Sequence, residues 1–292
     1  MFRIDSHQHF WKFDPVRDTW IGEDMPVLRR DFLPDDLGPI LEQQGLQGSI
    51  AVQSDQSPAE NAFQLDHAGA HPFIKGVVGW VNLEADDIEE QLAFYHGFPA
   101  LKGFRHVLQG EPQRDFMLRP GFTRGISRLN RYGFTYDILI YPDQLSFSCD
   151  LVRRFPDQLF VLDHLGKPPI GTLSPATNGQ PTTSDATEGL LRWKKEIQNL
   201  AASGNVFCKV SGMVTEAHWG QWKKEDFRPY LDTVVEAFGM KRLMFGSDWP
   251  VCLLSATYGE TIDIVEDYFA AFSSSEKAGL FGGNAATFYH IS

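Results

Sequence analysis

Two histidines separated by one residue, His7-Gln8-His9, lie on the first hydrophobic run of the chain, and a lone aspartate, Asp248, follows the last. In an extended strand, residues two apart point to the same side, so His7 and His9 can aim at one point. Two imidazoles and a carboxylate converging there can hold a metal ion, a water to be deprotonated, or both. Nearly the whole chain separates the pair from the aspartate, so only a closed fold brings them together.

The elements that must do so recur along the sequence. Strand-like runs fall at Arg3–His9, Gly48–Gln53, Phe73–Val81, Leu101–Phe104, Thr135–Ile140, Leu159–Leu162, Val206–Val210 and Leu243–Gly246. Between and after them lie amphipathic stretches at Pro34–Gln44, Pro58–Ala70, Ile88–Gly97, Gly121–Tyr132, Pro142–Phe155, Glu188–Ser203, Phe227–Phe238 and Thr257–Ala271, with a short helix expected at Ser275–Leu280. Alternation at this spacing implies parallel βαβ units. Eight units close economically into a (β/α)8 TIM-type barrel, read as one domain over residues 1–292. An open doubly wound sheet is the alternative, weakened because no GxGxxG follows the first strand. In a barrel the eighth strand pairs with the first, and Asp248 meets His7 and His9 at the C-terminal rim, where barrel active sites sit. Two long loops break the rhythm, 11–33 and the Pro/Gly/Ser/Thr-rich 166–187, and both are expected over that face.

The other strand ends supply Gln53, Trp80, Asn82, Lys102, Arg105, His106, Tyr141, Asp163, His164, Lys209, Ser211 and Trp249. Plainer roles exist for each: His106 could hydrogen-bond a loop, Lys102 and Arg105 could form rim ion pairs, and Asp248 could cap a turn. Their joint placement at one barrel end favours chemistry. His67, His71, His96, His218 and His290 fall on helices or connections and read as structural. Trp193, Trp219 and Trp222 read as packing residues.

Composition narrows the setting. The 292 residues are 42% hydrophobic with a net charge of -12, which repels phosphate backbones and anionic lipid. Nucleic acid and membrane are therefore poor partners, whereas homo-oligomerisation stays compatible with the sequence. Three cysteines without a CxxC pair, no signal-peptide pattern and no long apolar run imply a reducing cytoplasm. No GxSxG elbow, HExxH or GxxxxGK[ST] loop is present, and no motif couples Cys208 or Cys252 to a base.

The segments Asp5-Ser6-His7-Gln8-His9-Phe10-Trp11, Gly76–Val81, Lys102-Gly103-Phe104-Arg105-His106, Asp163-His164-Leu165-Gly166-Lys167-Pro168 and Gly246-Ser247-Asp248-Trp249-Pro250, with Gly283–Tyr289 at the end, resemble the markers of the amidohydrolase superfamily. More narrowly, they resemble its sugar-lactonase branch, which includes L-fuconolactonase- and L-rhamnonolactonase-like enzymes. The resemblance implies a distorted (β/α)8 barrel that hydrolyses a small ester or lactone. By position it implies His7, His9, His164 and Asp248 as metal ligands. Metal-rich members carry a histidine at the end of strand five, where this chain has Ile140-Tyr141. The expectation is one divalent ion at most, Zn²⁺ first, with metal-independent catalysis as the alternative.

The expected reaction opens a sugar-acid lactone to the free acid. Asp248 is the general base, and His164 or His106 assists in acid–base roles. Lys102, Arg105 and His106 are expected to stabilise the oxyanion, and Gln53, Tyr141, Trp11, Trp20, Trp80 and Trp249 to line the sugar site. Two rivals remain at this stage: a metal-dependent decarboxylase of the same superfamily and a sugar-binding barrel without turnover.

Overall fold

Every short β-rich run of the sequence forms a strand, and each is followed by a helical segment. The structure, a computed structural model, describes residues 2–173 and 184–291. The strands are β1 (Ile4–Gln8), β2 (Gly48–Val52), β3 (Ile74–Gly79), β4 (Leu101–His106), β5 (Thr135–Ile138), β6 (Phe160–Leu162), β7 (Val206–Val210) and β8 (Leu243–Phe245). They form one eight-stranded sheet in sequential order, and every pair is parallel. The helices between them make this a (β/α)8 TIM-type barrel. Among the described residues, no helix is long and apolar enough to cross a membrane.

The seam between β8 and β1 is sewn just beyond the end of β8. Asp248 N donates to His7 O at 2.8 Å, and His9 N donates to Trp249 O at 2.7 Å. The residues that carry the candidate chemistry therefore also close the barrel.

Two apolar layers surround the strands. Most core residues fill the space between strands and helices, Phe104, Tyr136, Phe160 and Cys208 among them. A smaller cluster fills the barrel itself, where Ile50, Val52, Val78, Val161 and Met244 meet Phe288 and Tyr289 from the C-terminal segment. The short helix Asn284–Phe288 that delivers these two rings has no counterpart among the expected elements. On β1, Ile4 belongs to the inner cluster and His7 also faces inward, an odd separation that a regular strand forbids. The register between β1 and β2 is irregular between Asp5 and Gln8, which provides the extra step.

Helix starts follow ordinary capping chemistry. Ser57 accepts from Glu60 N ahead of Pro58–Ala70, and Thr257 does the same with Glu260 ahead of Tyr258–Tyr268. The expected helix over 142–155 divides into a 3-10 turn, Pro142–Gln144, and an α-helix, Leu145–Arg154. Loop 11–33 is tied back by an antiparallel bridge between Trp11 and Phe32. Of the second expected loop, 166–187, residues 174–183 lie outside the described residues.

Candidate active site

At the C-terminal ends of β1, β6 and β8, three imidazoles frame one carboxylate. Asp248 Oδ1 lies 3.4 Å from His9 Nε2, 3.8 Å from His7 Nε2 and 3.8 Å from His164 Nε2. The two β1 imidazoles approach each other at 3.1 Å between their Nε2 atoms. His9 Nδ1 lies 2.8 Å from Val52 O, which can only accept, so His9 holds its hydrogen on Nδ1 and turns the Nε2 lone pair to the site. His164 is oriented by Ser211 Oγ, 2.9 Å from its Nδ1. A side chain at Gly212 would place Cβ 2.5 Å from that same nitrogen, so the glycine makes room for the ring.

Beneath His7 lies a buried network of charges. Lys209 Nζ is 3.0 Å from His7 Nδ1, 2.5 Å from Asp137 Oδ2 and 3.0 Å from Asp163 Oδ1. Arg105 donates from Nη1 to Asp163 Oδ2 at 3.1 Å and from Nη2 to Gln53 O at 2.6 Å. Tyr289, reaching up from the C-terminal segment, donates its hydroxyl to Asp137 Oδ2 at 2.8 Å.

Burial and neighbouring charge fix the protonation states. Burial opposes ionisation of Asp248, but the neighbouring His164 and His9 outweigh it and hold the carboxyl below its ordinary 3.8. Burial lowers His164 well below the ordinary histidine value, and burial with the Lys209 charge does the same to His7. Asp163 is buried, yet Lys209, His7 and Arg105 keep it ionised well below 3.8. Burial raises Asp137 to about 6 despite Lys209. At neutral pH the site thus holds an anionic Asp248 beside the neutral imidazoles of His7 and His164.

The cavity above this floor has a volume of about 470 Å³, in the range that suits a small organic ligand. His9, Arg105, His164 and Asp248 form its base, and Trp11, Trp20, Tyr141 and Trp219 supply aromatic wall. Lys167, Glu216, Ser54 and Gln109 add polar groups.

Several expected residues lie elsewhere. Arg105 and His106 are adjacent on β4 and so face opposite sides. Arg105 enters the barrel, whereas His106 stacks on Phe116 at 5.2 Å and pairs with Glu111 at 2.7 Å in the helix layer. Trp80 follows His106 out of the site and donates its indole N–H to His106 Nδ1. Lys102 sits near the start of β4, and its ammonium donates to His290 O, away from the cavity. Trp249 is sealed between Phe10 and Phe32, at ring distances of 6.2 and 5.3 Å, and packs rather than lines. Gln53 is fully buried and braces Arg105, donating to its carbonyl at 3.3 Å. In the other direction, Trp219 was expected to pack and instead lines the cavity, 38% exposed. Lys167, Glu216, Ser54 and Gln109 went unassigned because they sit in loops where no period marks direction. Asp137 and Tyr289 went unassigned because a buried charge pair leaves no local pattern.

The donor set fits one divalent metal ion. Asp248 Oδ1 lies 3.4 to 3.8 Å from Nε2 of His9, His7 and His164, and the His7 and His9 Nε2 atoms are 3.1 Å apart, near the roughly 3.4 Å edge of a tetrahedron with bonds near 2.1 Å. Two overlapping groups qualify, His7 with His9 and Asp248, and His7 with Asp163 and His164. Asp163 Oδ1, buried 3.3 Å from His7 Nδ1 and 3.0 Å from Lys209 Nζ, is a carboxylate oxygen placed to accept from the ring of a metal-ligating His7.

A TIM-type barrel with an HxH on its first strand, a histidine after the sixth and an aspartate after the eighth defines a hydrolase of the amidohydrolase type. The chain belongs to the amidohydrolase family, which it matches over residues 4–291. It is 42% identical to L-fucono-1,5-lactonase of Burkholderia multivorans, over 99% of this chain and 96% of that one. It is 34% identical to L-fucono-1,5-lactonase of Burkholderia ambifaria at the same coverage. An amidohydrolase of Burkholderia multivorans, crystallised once with HEPES and once with Zn, superposes with TM-scores of 0.93 and 0.91 at 40% identity, covering 100% of both chains.

Proposed function

We propose that the protein is a lactonase that opens a small sugar-acid lactone, an aldonolactone of the L-fucono or L-rhamnono kind, to the free hydroxy acid. The observation that carries this reading is the ionised Asp248, framed by three imidazoles at the base of a sugar-sized cavity.

Asp248 takes a proton from a water held between its Oδ1 and His9 Nε2, and the oxygen adds to the ring carbonyl. The oxyanion that forms faces Arg105, whose guanidinium is fixed by Gln53 O and Asp163 and needs no reorganisation. Collapse breaks the C–O ring bond, and the proton on Asp248 passes to the leaving alkoxide, so one water is consumed and the carboxylate is restored. An alkoxide leaves more easily than an amide nitrogen, so modest electrophilic help is sufficient. A divalent ion, Zn²⁺ first, would be held by His7, His9, His164 and Asp248 and would supply a more acidic water.

The decarboxylase rival, which would need a metal for the substrate carboxylate, fares worse because the relatives at 42% and 34% identity are L-fucono-1,5-lactonases. A sugar-binding barrel without turnover gives no reason to hold Asp248 at φ +58 among three imidazoles. Three unpaired buried cysteines and the net charge of -12 support a reducing, cytoplasmic setting with no nucleic-acid partner. A panel of L- and D-sugar 1,4- and 1,5-lactones, followed by a pH indicator with wild type against Asp248→Asn, tests the reading. Acid release that survives the substitution undiminished rules out Asp248 as the base.

A further inference from the structure

Cations in the cavity are already paired. Arg105 faces Asp163 at 3.1 Å, and Lys167 faces Glu216 with Nζ 3.1 Å from Oε1. Lys167 and Glu216 come from the segments after β6 and β7, line the same cavity as Asp248 and His164, and take no part in the proton transfers above.

Both side chains are held by their surroundings. Lys167 ends a run of left-handed residues with φ +51, its N donates to His164 O at 2.8 Å, and its ammonium lies 5.6 Å from the Tyr141 ring centre. A lysine in that backbone region is strained, and such strain is carried where direction matters. Glu216 is anchored through its carbonyl, which accepts from Gly171 N at 2.9 Å, and through its amide, which donates to Met213 O at 3.2 Å.

An ammonium beside a carboxylate offers a donor and an acceptor at adjacent points. Two neighbouring ring hydroxyls offer the complement, one oxygen accepting from the lysine and one hydroxyl donating to the glutamate. A ring carboxylate in the same place would meet Glu216 and find Lys167 occupied, and like charges brought together reject a ligand. Anionic Asp248 on the cavity floor adds to that repulsion.

We propose, on the basis of the lactonase reading, that the Lys167–Glu216 pair determines specificity, taking two adjacent hydroxyls of an uncharged lactone ring and rejecting rings that bear a carboxylate.

Steady-state kinetics on three lactones test this: a polyhydroxylated aldonolactone, δ-valerolactone without ring hydroxyls, and an aldaric acid monolactone with a free carboxylate. Glu216→Gln keeps the shape and removes the charge. It is expected to lower the preference for aldonolactone over valerolactone by ~10-fold, mostly through KM, and to raise kcat/KM on the carboxylated ring by ~10-fold as Lys167 is released. Lys167→Met is expected to lose the same preference with no gain on the carboxylated ring. Equal change on all three lactones in both variants would make the pair structural and overturn the proposal. Turnover of aldonolactone with unchanged preferences overturns it alone, whereas no turnover of any lactone by wild type overturns it together with the lactonase reading.

Discussion

His164 Nε2 and Asp248 Oδ1 stand 3.8 Å apart, and both residues hold left-handed backbone, with φ +53 and +58. Neither is glycine, so both positions cost conformational energy that the surrounding fold supports. For Asp248 the hydrogen bonds of the barrel seam hold the strained residue, and for His164 the turn after β6 does so.

Asp248→Asn follows directly. Asparagine tolerates left-handed backbone and keeps the shape, so the seam survives, but the amide cannot accept the proton. kcat is expected to fall by about 10²–10⁴-fold with the melting temperature nearly unchanged. Stopped pH-indicator assays and a thermal melt on the same preparation check both halves.

The pH profile reports on the same group. Asp248 lies below its ordinary 3.8, and His164 is neutral through the physiological range, so the proposed base is already ionised at every pH above about 5. The acid limb of kcat/KM is expected at or below pH 4. A limb centred near pH 6.5 would instead assign the base to a histidine.

Gly212→Ala is expected to damage activity more than its size suggests. Glycine is there at φ +62, and the new methyl would lie 2.5 Å from His164 Nδ1, displacing the ring from Ser211. Backbone strain alone costs about 1–2 kcal/mol, and kcat/KM is expected to drop at least ~10-fold as the imidazole loses its alignment. Melting curves and kinetics separate the two effects.

Tyr289→Phe tests the network beneath the site. Removing the hydroxyl takes a donor from Asp137, whose other oxygen already lacks a partner, and is expected to cost about 1–3 kcal/mol of stability. Denaturant unfolding reads that loss directly. A variant as stable as wild type would show that water replaces the phenol.

Zinc titration by calorimetry is expected to saturate at one ion per chain, because β5 ends in Ile138 and leads to Tyr141 without a histidine. His9→Gln is expected to abolish that binding. A second equivalent bound with similar affinity would contradict the single-site reading.

Much of this was legible in the sequence, for physical reasons that differ by residue. Period two placed His7 and His9 together, and the count of eight βα units brought Asp248 to them. The same period places Arg105 and His106 on opposite faces, but sequence alone does not say which face is inner, so both were expected at the site. Lys102 was misplaced along the strand rather than across it, since strand bounds move by a residue or two. The packing of Trp249 and the exposure of Trp219 depend on how loops cross the barrel rim. The Lys209–Asp137–Tyr289 network joins segments distant in the chain, and no local pattern announces such pairs.

The seam gives the barrel a clasp. Asp248 and His9 hand their backbone N–H groups to His7 and Trp249, so the bonds that shut the cylinder are also the bonds that aim the side chains proposed to react. Opening the clasp by even one strand spacing separates base from imidazoles. Turnover should therefore vanish at denaturant concentrations where the outer helices still give a native helical signal, making catalysis the most sensitive gauge of whether the ring is shut.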